Sequence, residues 1–199
     1  MSKLITKADF LADLRAGIQR HRSVLAELFR PLDTQHLAWQ PQPKEWSIVQ
    51  CFDHLNLTHD YYRPKIAAAL AQPARAGAMQ DGYVPSFWGR IYMHFAFNPR
   101  YSFPTAEEIT PQTAPQAGVL DAYLARQDTL EQTIAQVGPI DLRATRIPIA
   151  RGVAFNLGDC LKILVYHDAL HIGQAQRVLA QMQVRADRTG DMPKNSLGS

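Results

Sequence analysis

Apolar residues recur along this chain at steps of three and four, and proline-rich stretches divide the rhythm into four segments. The first opens at Thr6, an N-cap type with Asp9 three residues on. It sets Phe10, Leu14, Ile18, Leu25 and Leu28 at helical spacing and stops by Pro31. The second opens at Ser47, which with Gln50 has the spacing of a capping box, and runs to about Ala71 with a kink expected at Pro64. The third starts near Pro115 and carries Val119, Tyr123, Leu130, Ile134 and Val137, with Gly138 and Pro139 as its stop. The fourth starts near Asn156 and continues to about Val184. Strand patterns are nearly absent; residues 146–149 alone read as a short extended piece. The pattern predicts an all-α four-helix bundle.

The connections refine that picture. Residues 73–112 separate the second and third segments by about 40 positions, where helix neighbours in a bundle need about 2 to 8. A crossover of that length lets the two helices run parallel, and it can cover a site. Its aromatics (Tyr83, Phe87, Trp88, Tyr92, Phe95, Phe97, Tyr101 and Phe103) predict that it packs on the bundle, with a short helix over residues 87–97. There is no internal repeat, so residues 1–184 read as one domain. Residues 185–199, with Gly190, Pro193 and Gly198, read as a disordered tail.

Composition narrows the setting. Of 199 residues, 46% are apolar and 20% charged, the balance of a globular protein. The net charge of +3 comes from scattered Lys and Arg, which read as a solvated surface and not as a nucleic-acid footprint. The opening MSKLITKADFLADL has no apolar run of signal-peptide length, and no window approaches the roughly 20 apolar residues of a membrane span. Two cysteines do not make a disulfide framework. The expectation is a soluble, cytoplasmic protein with no membrane or nucleic-acid partner. With no GxGxxG, Walker loop, HExxH or GxSxG in the sequence, nucleotide-driven chemistry and serine hydrolysis are poorly supported.

Histidine carries the candidate chemistry. His167 and His171, four apart in YHDALHIGQAQRVL, leave one face of a helix one turn from each other, a geometry that suits two positions on one metal. They fall on the stripe Leu164, His167, His171, Gln174, Val178. His54 falls on a stripe of the second segment with Cys51, Thr58 and Tyr61. Three inward histidines from two facing helices can build a site with open coordination positions, whereas hydrogen-bonded core histidines would give the same spacing. Gln174 is placed to bond a ligand or a metal-bound water, or to sit at the stripe's edge. Asp168 points about 100° away from His167, towards a surface or interhelical contact. Cys51 and Cys160 share the two stripes and read as small buried hydrophobes, with a place in the shell as the alternative. His21, His36, His59 and His94 show no partner spacing and read as structural or solvated. Arg90, Arg100 and Arg151 read as loop cations on the surface.

Two stretches resemble a known family. LAWQPQPKEWSIVQCFDHL (residues 37–55), and HDALHIGQ (residues 167–174) about 110 residues later, are similar to the paired signatures of the DinB-like superfamily of four-helix metalloproteins. FNPRYSFPT (residues 97–105) in the crossover is similar too, and the resemblance extends over roughly residues 7–184. Lys44-Glu45 before Trp46 departs from the Gly turn common there, and Asp168 stands where Glu is frequent. The resemblance implies His54, His167 and His171 as ligands of a divalent metal, zinc or nickel first. It also implies that the protein is a homodimer. In function it implies a metal-dependent transferase that uses a low-molecular-weight thiol on small electrophiles. The alternatives are a metal-dependent hydrolase and a non-enzymatic, metal-stabilised stress-related binding protein.

Overall fold

A computed structural model describes residues 5–73, 82–98, 100, 105–112 and 118–189. The first helix, α1 (Lys7–Val24), begins where its cap is encoded: the Asp9 amide donates to Thr6 Oγ1 at 3.1 Å. It ends in a π-helical turn, Leu25–Phe29. The wider turn stacks Phe29 beneath Leu25, both fully buried, and rotates Leu28 outward to 37% exposure. Leu28 is therefore not a core residue, contrary to the α-helical count. A short α2 (Thr34–Ala38) capped by Asp33 follows and has no counterpart in the sequence pattern.

In α3 (Ile48–Leu70) the Ser47–Gln50 capping box is present in both directions. The helix runs on through Pro64, and the Lys65 ammonium donates to the Tyr61 carbonyl in the turn where the proline removes a donor. The crossover contains α4 (Phe87–Ala96), close to the short helix expected there, and a 3₁₀ turn, Glu107–Ile109. Its packing on the bundle is only partial. Tyr83 is buried and stacks on Phe10 at 4.1 Å, and Tyr92 and Phe97 lie against the core. Phe87 is 69% exposed, and Trp88 and Phe95 also face solvent. Tyr101 and Phe103 lie outside the described residues.

The third long helix, α5 (Val119–Gln136), starts after Gly118 in the left-handed region at φ 82°, four residues beyond Pro115, which lies outside the described residues. Val119, Tyr123, Leu130, Ile134 and Val137 are all buried, as the spacing predicts. The extended piece is one arm of an antiparallel hairpin, β1 (Arg146–Ala150) with β2 (Val153–Asn156), whose Ile147–Phe155 pair faces the core. The last helix, α6 (Leu157–Thr189), continues five residues past the point where a disordered tail was expected; residues 190–199 lie outside the description.

Side-chain pairings give the direction of each helix. Asn56 donates to the Val119 carbonyl and Asp60 pairs with Arg126, so pairing advances the same way along α3 and α5. They are parallel, as the long crossover allows. Arg15 reaches Ile134 while Arg22 reaches Asp128, so α1 and α5 are antiparallel. His54 meets His171 while Ile66 lies with Leu164, so α3 and α6 are antiparallel too. The bundle is up–down–down–up, with α1 and α3 each packed on both α5 and α6.

Two apolar clusters fill it. One joins Leu14, Ile18, Ile66, Ile134 and Leu161 beneath the hairpin; the other joins Leu25, Phe52, Tyr123 and Ile172 at the opposite end. Between them lies a buried polar layer made of His21, His54, Thr58, His59, Gln127, His167 and Asp168. An unpaired buried polar group costs about 1–3 kcal/mol, so this layer must satisfy itself internally or hold something.

A buried carboxylate anchors the crossover. Asp159 caps the start of α6 by accepting from the Asn156 amide at 3.0 Å, and it also accepts from Tyr83 Oη at 2.8 Å and the Ser86 amide at 3.1 Å. A Cβ on Gly89 would overlap that carboxylate. Gly89→Ala should therefore cost about 1–3 kcal/mol, measured as an earlier urea midpoint, while Arg90→Ala on the exposed side of α4 should leave the midpoint unchanged.

Candidate metal centre

The capping box that starts α3 sets the helix phase, and that phase turns His54 inward, two turns on. On α6 the spacing of four puts His167 and His171 on one face opposite it. The ring centroids lie 4.5 to 4.9 Å apart, and one nitrogen from each of the three falls within 4.8 Å of the others.

Outer partners fix which nitrogen points inward. His54 Nδ1 lies 2.6 Å from the Ile109 carbonyl, which can only accept, so Nδ1 carries the proton and Nε2 is left with a lone pair. His171 Nδ1 donates to Gln174 Oε1 at 2.9 Å, with the same result. The crossover thus reaches the centre through the Ile109 carbonyl, and Gln174 serves as the outer partner of a ligand-type histidine. His54 Nε2 and His167 Nε2 then face each other at 3.3 Å, and His167 Nδ1 is buried with no partner.

No proton placement satisfies this trio. If His167 Nε2–H donates to His54, His167 Nδ1 is a bare buried acceptor; with the proton on Nδ1, two lone pairs face each other. A divalent cation held by these rings would remove that repulsion. The His54 and His167 nitrogens, 3.3 Å apart, have the separation of two nitrogens on one zinc, and the His171 nitrogen lies within 4.8 Å of both, close enough for a small side-chain adjustment to bring it in. The donor set fits the group.

Electrostatics keep the rings in their ligand form. Burial lowers the pKa of His54, and burial followed by the neighbouring His171 and His54 lowers that of His167 far more. Burial and then His54 bring His171 to about 4. All three are neutral near pH 7. The indole of Trp46, just ahead of the α3 cap, lies 4.9 Å from the His54 ring and 5.6 Å from His171, forming a lid over two of the three.

The other sequence candidates lie apart. Cys51 and Cys160 are buried free thiols outside the cluster; burial pushes Cys51 up to about 12 and raises Cys160 as well. Asp168 is a fully buried interhelical contact. It accepts from Gln127 Nε2 at 2.7 Å, from Tyr123 Oη at 3.2 Å and from His59 Nε2 at 3.0 Å, with His21 Nδ1 at 4.0 Å. His59 and His21 are thus members of the polar layer, a role that histidine spacing alone does not reveal. His36 bonds its own cap, Asp33, and Arg90, Arg100 and Arg151 are exposed.

The sequence profile of the DinB superfamily matches residues 18–175, a span that contains all three histidines. The chain belongs to the DinB superfamily. A comparison with curated proteins finds no match. The superfamily's all-α fold is the one observed here, with the β hairpin as a small addition. No helix among the described residues is long and apolar enough to cross a membrane.

Proposed function

We propose that this chain is a metal-dependent transferase that couples a low-molecular-weight thiol to a small electrophile at His54, His167 and His171. The observation that carries this reading is the donor set: three neutral imidazoles converge, and among the described residues the cluster contains three protein ligands. A three-ligand shell leaves a coordination position for an exogenous group. When bound, a divalent ion supplies there a Lewis acid that draws a thiol towards thiolate near neutral pH.

The chain's own residues support the rest. Ile109 and Gln174 hold two rings so that Nε2 faces inward, and Trp46 with the crossover restricts water. The protein supplies no thiolate of its own, since Cys51 and Cys160 are held protonated by burial. The nucleophile must then come from solution. Buried free thiols also support a reducing, cytoplasmic setting.

The test is conjugation of simple electrophiles by a panel of thiols (glutathione, bacillithiol and mycothiol) with zinc or nickel present. Turnover should need both metal and thiol, with its largest advantage over the uncatalysed reaction at or below neutral pH, where free thiol is protonated. His167→Ala should abolish that advantage, and Cys51→Ser and Cys160→Ser should retain it. Metal-dependent hydrolysis without thiol would select a hydrolase. Silence in both assays across metals would select a non-enzymatic, metal-stabilised binding protein.

A further inference from the structure

Between α3 and α5 lies a cavity of about 400 Å³ that the histidine centre does not use, within the size range of ligand pockets. Its floor is apolar and buried, formed by Ile66, Leu130 and Leu164. Its walls are side chains too short to close it, including Ala67 on α3 and Thr129 and Thr133 on α5. Both threonine hydroxyls donate to their own helix, Thr129 to Ala125 at 3.0 Å and Thr133 to Thr129 at 2.9 Å, which leaves their methyl groups as the surface they offer. The long dimension, from Arg63 to Ala71 along α3, is about 12 Å at 1.5 Å per residue.

One end is cationic. Arg126 is held by Asp60 at 2.5 and 3.2 Å, whereas Arg63, with its side chain 64% exposed, reaches the same carboxylate only at 3.7 Å. Two guanidinium groups share one carboxylate, and none of the described residues lining the cavity is acidic. A guanidinium in this position suits an incoming carboxylate, to which it can donate two parallel hydrogen bonds. His59 lies at the inner wall, bonded to Asp168, and separates the cavity from the three-histidine centre.

We propose that this cavity is a second binding site, which takes a small amphiphilic carboxylate with its apolar body between α3 and α5 and its anion at Arg63 and Arg126. The site is independent of the metal reading and stands or falls without it.

Calorimetric titration of the full chain with decanoate tests it. Saturable one-to-one binding is expected, at least ten-fold tighter than for decanol. Arg63→Glu should weaken it at least ten-fold, and Ala67→Trp, which fills the cavity from an exposed position, should abolish it. His54→Ala, which damages the metal centre, should leave it unchanged. Thermal melts establish that each variant is folded. The absence of saturable binding, binding indifferent to both Arg63→Glu and Ala67→Trp, or binding lost in His54→Ala would each overturn the proposal, and decanol binding as tightly as decanoate would remove the role of the arginines.

Discussion

Protein purified from zinc- or nickel-replete cells should carry about one divalent ion per chain, and His54→Ala, His167→Ala or His171→Ala should each strip it. The two outer hydrogen bonds rank the effects. Removing an outer partner of a metal-ligating histidine typically costs about 10–100-fold in affinity, so Gln174→Ala should fall in that range and each histidine substitution beyond it. Protons compete weakly, because a folded-state pKa near 4 for His171 keeps that ring available as a ligand. Occupancy should therefore hold as pH falls through the ordinary imidazole value near 6.5 and drop only on approach to 4. Elemental analysis and metal titration measure both; a metal-free wild type that takes up none on titration would exclude the centre. Chelation should leave helical circular dichroism intact, since an apolar cluster lies on each side of the polar layer. The stripped protein should lose only a few kcal/mol, about 4 at a ligand concentration of 1,000 Kd.

How much of this was legible depends on what each signal measures. Apolar spacing reports which face is buried, and caps report where helices start, so all four long helices and the facing of His54, His167 and His171 could be read directly. Leu28 failed because a π turn changes the period itself, and an α-helical count has no means to detect that. The exposed Phe87, Trp88 and Phe95 failed because aromatic content does not say which face of a crossover helix meets the bundle. The second strand lies just ahead of the expected start of α6 and is too short to show a pattern of its own; Asn156 ends β2 and also caps the helix through its bond to the Asp159 amide.

The polar layer was legible but by a different question. His21 interrupts the stripe Leu14, Ile18, Leu25; His59 interrupts Phe52, Leu55, Tyr62, Ile66; Gln127 interrupts Tyr123, Leu130, Ile134; Asp168 interrupts Leu161, Leu164, Ile172. Searching for histidines spaced as metal ligands finds one site. A single polar residue that breaks the apolar stripe of each helix marks four more members of the layer, because one break in every helix at one level of a bundle implies that they meet.

That layer carries the second large effect. Asp168→Ala should destabilise the fold by about 3–5 kcal/mol, since it leaves three buried donors unpaired at about 1–3 kcal/mol each. The substitution leaves the amide of Gln127, the hydroxyl of Tyr123 and Nε2 of His59 without their acceptor, on three side chains fully or almost fully buried. At about 2–4 °C per kcal/mol for a chain of this size, the melting midpoint should fall by about 10 °C. Asp168→Asn keeps the shape and one acceptor oxygen, so it should recover part of the loss. The measurement that separates this role from a place in the metal centre is ion content. Asp168 follows His167 directly, yet its carboxylate is held by α3 and α5 side chains and not by the histidine trio. Folded Asp168→Ala protein should therefore still bind about one ion per chain, its helix continuing to present His167 and His171 on one face. A variant that kept its melting midpoint but lost its ion would place the Asp168 carboxylate among the groups that hold the metal.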